Sequence, residues 1–123
     1  MKARLVLAAG IVAAVATAAS AAAAPRQPAR VQVAADEFQL VLSRTAVPAG
    51  PAIVGLVNFG EDDHDLALRR ATVGARTWKV RTVTPGEFRE RELRLVAGRY
   101  ALWCTLADHR AHGMRATLRV RPR

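Results

Sequence analysis

The chain has 123 residues, 51% of them hydrophobic, with one cysteine, three histidines and a formal net charge of +9. That length holds one domain, not two domains with an active-site cleft between them. A lone cysteine excludes an intramolecular disulfide, and the apolar content excludes a wholly disordered chain.

Lys2 and Arg4 open the chain, and no charge follows from Leu5 to Ala24. The run closes on Ser20 and four alanines, the small residues a signal peptidase accepts. Residues 1–24 therefore read as an export signal, cut after Ala22 or Ala23 because Pro25 disfavours cleavage directly before it. The competing reading is an uncleaved anchor, since about 20 apolar residues span a bilayer. Both put the folded domain outside the cytoplasm: periplasmic, at the cell surface or extracellular. Without Lys2 and Arg4 the charge falls from +9 to +7. Since 17 of the 19 basic residues are Arg, that balance reads first as an arginine-biased composition, and otherwise as attraction to an anionic surface or an acidic partner. Export, and basic residues scattered singly along strands, argue against nucleic acid. A monomer is expected, with membrane contact only if the first segment stays attached.

Residues 25–30 form a polar linker with two prolines, and 31–123 form the domain. Short β-type runs then follow one another. Strands are expected at 30–34, 37–43 and 52–59, with a Val-Pro-Ala-Gly-Pro turn at 47–51. An acidic loop at 60–63 leads into a strand at 65–69, and 70–76 reads as a loop or a single helical turn. Further strands are expected at 77–83, 88–96, 100–104 and 115–121. The residues between the last two, 105–114, read as a loop. Seven to eight such strands describe an all-β, two-sheet sandwich.

The chemistry is concentrated in one stretch. Residues 104–114 hold the only cysteine, Cys104, together with His109, His112 and Met114, and His64 follows the acidic loop. A thiolate, two imidazoles and a thioether make a soft nitrogen–sulfur donor set. It suits copper in a His₂Cys arrangement with a weak axial Met. Alternation puts Cys104 on the inner face with Tyr100 and Leu102, and Gly113 eases the chain's return toward Met114. Taken singly, Cys104 reads as a buried inert thiol and Met114 as core packing. Jointly they read as ligands. His112 reads as a solvent-facing loop residue, Glu61, Asp62 and Asp63 as a solvated turn, and Trp103 as packing.

Two segments carry a family resemblance. Cys104-Thr-Leu-Ala-Asp-His109-Arg-Ala-His-Gly113-Met114 resembles the cupredoxin ligand loop, C-T-x-x-x-H-R-x-x-G-M. Asn58-Phe-Gly60-Glu-Asp-Asp-His64-Asp-Leu66 resembles the family's N-x-G-x-x-x-H-x-L segment. The resemblance covers most of 31–121. It implies a Greek-key β-sandwich and one mononuclear type 1 copper held by His64, Cys104, His109 and Met114. It also implies one-electron transfer between Cu(I) and Cu(II) with a redox protein partner. Asn58, Asp65 and Thr105 are the candidates for orienting the ligands from outside. Two positions depart from the family: Asp65 stands where many members carry Asn, and Ala107-Asp108 where related sequences often carry Pro-Gly. The alternative function is copper storage or delivery without redox cycling. A multicopper oxidase is disfavoured, because a trinuclear centre needs extra domains and histidine pairs.

Overall fold

The computed structural model describes residue 16 and residues 18–123, so most of the expected export signal lies outside the described residues. In chain order the elements are β1 (Ala29–Asp36), β2 (Gln39–Leu42), β3 (Ala46–Pro48), β4 (Gly50–Asn58), β5 (His64–Arg70), β6 (Thr77–Val83), β7 (Phe88–Leu95), β8 (Gly98–Trp103), α1 (His109–His112) and β9 (Arg115–Arg121). Among the described residues there are nine strands, one more than the upper end of the seven to eight expected. The added one, β3, falls in the segment read as a turn. It pairs in parallel with β9 at a sheet edge, where Pro48 disrupts no second ladder. The expected loop 105–114 contains the single helical turn α1. β1 begins at Ala29, within the stretch read as linker.

The strands form two sheets, ordered β2-β1-β4-β7 and β3-β9-β8-β5-β6. β1 runs parallel to β4, and β4 runs antiparallel to β7. In the second sheet β8 lies antiparallel between β5 and β9. The inner faces meet in one core: Val31, Val33, Val54 and Leu56 from the first sheet, Leu66, Leu68, Leu102 and Leu118 from the second. Each such aliphatic side chain contributes about 1.5–3 kcal/mol on burial. Among the described residues no helix is long and apolar enough to cross a membrane.

Two features of this packing position the site. Along β8 the burial alternates, Tyr100 in, Ala101 half-buried, Leu102 in, and the same period carries inward to Cys104, the first residue past the strand. Along β9, Leu118 and Val120 face the core, and stepping back by twos from them reaches Met114. Core packing of these two strands therefore aims Cys104 and Met114 into the same end of the sandwich.

Candidate metal centre

The turn from β8 to β9 sets three of the four predicted ligands. Trp103 pairs with Arg115, which makes Cys104 and Met114 the next opposed pair, and the Cys104 N–H donates to the Met114 carbonyl at 3.1 Å. The chain between them is wound by α1. The His109 N–H donates to the Leu106 carbonyl (3.2 Å), and the Met114 N–H donates to the His109 carbonyl (3.1 Å). These three predicted ligands are thus tied to one another through their backbones. Gly113 permits this closure: its φ is +124°, and a Cβ there would lie 2.9 Å from the Phe38 carbonyl oxygen.

His64 arrives from β5, at a point where the pairing of β5 with β6 shifts register between His64 and Leu66. Such an irregularity re-aims a side chain. The ring enters the space beside Cys104 and His109. His64 Nδ1 lies 3.3 Å from His109 Nδ1, and Cys104 Sγ lies 3.6 Å from the same nitrogen. Donor atoms of His64, Cys104 and His109 all lie within 4.8 Å of one another. His64 and Met114 are 0% exposed, Cys104 1% and His109 7%. Donors sharing one first-row ion at about 2.0–2.3 Å sit roughly 3–4 Å apart. Buried ring nitrogens turned toward one another repel unless a proton or cation lies between them. The spacing and the soft donors together, with Met114 buried alongside, suit copper.

Several groups hold these side chains in place. His64 Nε2 lies at hydrogen-bonding distance, 2.8 Å, from Glu37 Oε1. Glu37, between β1 and β2, is itself gripped by the backbone N–H groups of Asp62 (2.9 Å) and Glu61 (3.0 and 3.1 Å). Those bonds, with the one from His64, hold its carboxyl down at about 2. The acidic turn thus supplies backbone donors, a role its side chains did not suggest. Glu37 was missed in the sequence because it is 27 residues from His64. One signal was present: Gly60. A Cβ there would fall 2.2 Å from Glu37 Oε1.

Asp65, adjacent to His64, reaches the other way. Its carboxylate accepts the Thr105 N–H (2.6 Å) and the Thr105 hydroxyl (2.5 Å), and pairs with Lys79 Nζ at 3.0 Å. Burial pushes its pKa up, but the Thr105 and Lys79 bonds outweigh that and leave it below the usual carboxylate range. Asp65 therefore staples the His64 strand to the Cys104 loop in ionised form. Asn58 acts on the loop before His64. Its Nδ2 donates to the carbonyls of Asp62 (2.7 Å) and Val83 (3.0 Å), and its Oδ1 accepts the Gly60 N–H (2.8 Å). Burial pushes the Cys104 thiol up, so in the metal-free protein it keeps its proton; a coordinated thiol would give it up.

The His109 ring is the part of the cluster nearest solvent. Phe38 packs at 5.2 Å between centroids, and Asp62 Oδ2 lies 3.8 Å from His109 Nε2. His112 is exposed on α1 and pairs with Asp108 at 2.7 Å, outside the cluster. That bond holds the Asp108 carboxyl below its ordinary value. Arg110 lies over the Trp103 ring at 4.6 Å, so Trp103 packs on the outer face of β8.

This architecture is the cupredoxin β-sandwich. No family model matches the chain, and no curated protein matches its sequence. Solved structures do match its fold. Dithionite-reduced auracyanin from the photosynthetic bacterium Roseiflexus castenholzii is 18% identical at a TM-score of 0.65, over 79% of this chain and all of that one. Auracyanin A, a "blue" copper protein from the green thermophilic photosynthetic bacterium Chloroflexus aurantiacus, is 15% identical at 0.62, over 76% of this chain and 99% of that one. The copper-containing nitrite reductase of Thermus scotoductus SA-01 is 16% identical at 0.56, over 78% of this chain but 32% of its own. At these identities the fold is what is shared.

Proposed function

We propose that this chain is an exported type 1 copper protein that carries single electrons. The observation that carries the reading is the buried convergence of two imidazoles and one thiol, with buried Met114 tied to Cys104 through the backbone. When bound, copper supplies the Cu(I)/Cu(II) couple. Cys104 would hold it as thiolate, His64 and His109 through Nδ1, and Met114 through its thioether sulfur. The hydrogen bonds of Glu37, Asp65 and Asn58 keep the donors in place in either oxidation state, so little has to reorganise when an electron moves. The His109 ring edge is the port, since it alone among these donors reaches the surface.

Burial of the other donors supports a resident ion over one stored for release. A buried site reached only through a ring edge also supports electron transfer over substrate chemistry. The fold neighbours named as auracyanins support the same reading, and the residue 1–24 pattern supports export. The charge of +7 without Lys2 and Arg4 supports steering toward an acidic redox protein. The test is to add Cu(II) to the purified protein and record the visible spectrum. An intense thiolate-to-copper band is expected, reversibly bleached by one electron and absent in Cys104→Ser. A folded, reduced protein with no such band would sink the proposal.

A further inference from the structure

We infer that Glu37 is a positioning residue for His64: its carboxylate fixes the ring with the proton on Nε2, so that Nδ1 is the nitrogen presented to the metal. This deepens the copper reading and rests on it for the metal's identity, while the tautomer itself is a property of the protein alone.

The geometry is specific. Glu37 Oε1 stands 2.8 Å from His64 Nε2, on the far side of the ring from Cys104 and His109. An ionised carboxylate only accepts hydrogen bonds, so Nε2 must carry the hydrogen. In the neutral ring that leaves the lone pair on Nδ1, facing the cluster. The carboxylate cannot easily turn away, because Glu61 and Asp62 N–H groups grip both of its oxygens. The structure also makes room for it: the missing side chain of Gly60 is where the carboxylate sits. Four features of one loop, two backbone N–H groups, a glycine and the imidazole, converge on one side chain that the bare ligand set does not require. A carboxylate behind a ligating imidazole raises its basicity and fixes its orientation, and losing such a group typically weakens metal binding about 10- to 100-fold. Its negative charge also favours the higher oxidation state of the ion.

Two variants separate these effects. Glu37→Gln keeps an oxygen where Oε1 stands but removes the charge; Glu37→Ala removes both. Nitrogen-15 NMR of the metal-free protein reads the tautomer directly. His64 is expected wholly as the Nε2–H form in the wild type and in Glu37→Gln, and as a mixture in Glu37→Ala. Copper titration is expected to show about 10- to 100-fold weaker binding for Glu37→Ala. The reduction potential is expected to rise in Glu37→Gln with the tautomer unchanged, a shift that a merely structural side chain would not produce. A wild-type His64 protonated on Nδ1, or a Glu37→Ala ring that keeps a pure Nε2–H tautomer, would overturn the inference. So would a Glu37→Gln potential equal to that of the wild type. If Glu37→Ala does not fold, the wild-type spectrum and Glu37→Gln still decide. If no thiolate band forms in the wild type, the copper reading fails while the nitrogen-15 spectra still accept or reject the role of Glu37.

Discussion

His64 and His109 bring the same atom, Nδ1, to one cluster from opposite kinds of support. His64 stands at the head of a central strand, is sealed from solvent, and is backed by a carboxylate fixed by two N–H groups. His109 stands on a single helical turn. It is held through its backbone by Leu106 and Met114, with Phe38 against its ring and part of its edge in solvent. The difference teaches how a small sandwich can support two converging imidazoles by different means. One imidazole is anchored by side-chain chemistry and cannot be reached. The other is positioned by loop closure and keeps part of its edge at the surface, where the proposed electron route would open. Asp65 couples the halves, because it follows His64 in sequence and binds Thr105 in the loop that carries His109.

The sharpest way to break this comparison is to remove each ring in turn. His109→Gly is expected to lose the thiolate-to-copper band and regain it when free imidazole is added, since the vacated ring borders solvent. His64→Gly is expected to lose the band without recovery, since its ring position is covered on every side and its loss leaves a buried cavity. Visible absorption during an imidazole titration decides. Recovery in both variants, or in the His64 variant alone, would reverse the assignment of port and anchor.

A glycine pair tests the same contrast more gently. Gly113 serves the His109 side, where a Cβ meets backbone at 2.9 Å and φ is +124°. Neither the Phe38 carbonyl nor the left-handed backbone can yield cheaply, so Gly113→Ala is expected to cost about 2–3 kcal/mol. Thermal melts should show a Tm lower by roughly 10–20 °C. Gly60 serves the His64 side, where the atoms nearest a Cβ are the end of the Glu37 side chain rather than backbone. Gly60→Ala is expected to swing that carboxylate aside, with a smaller loss of Tm but copper binding weakened as in Glu37→Ala. Equal Tm losses in the two variants would mean that the supports differ less than their contacts indicate.

The two sides also differed in how far they could be read from the sequence. Cys104, His109 and Met114 were legible because rare residue types lie at fixed spacing in one loop, on strands whose alternation shows which way they face. His64 was legible through its local motif. Its support was not, because Glu37 meets it only through tertiary packing, and a glutamate in a turn carries no pattern of its own. β3 escaped because three residues ending in proline give no period, and its partner β9 is distant in sequence. α1 escaped because one helical turn is too short for an amphipathic repeat. Asp65 was noticed as a departure from the family. Its bridge to Thr105 and Lys79 depends on side chains brought together by the pairing of β5 with its neighbours.

The other departure, Ala107-Asp108, yields the smallest effect and bears on the His109 side alone. Ala107 has a φ of +42°, the only positive value among the described non-glycine residues. The left-handed backbone costs an L-residue with a Cβ roughly 1–2 kcal/mol. Glycine removes that cost but brings a more flexible unfolded chain, which offsets about 0.5–1 kcal/mol of the gain. Ala107→Gly is therefore expected to stabilise the protein by about 0.5–1 kcal/mol, a Tm rise of a few degrees. Because residue 107 is exposed and lies in the loop that carries His109, the gain should appear as slower hydrogen exchange at the His109 and Met114 amides. Exchange along β5 should follow only the small global change. A lower Tm would show that the loop gains more from a stiff residue at 107 than it loses to its conformation. Faster exchange confined to the His109 and Met114 amides would place that stiffness in the same loop that presents the port.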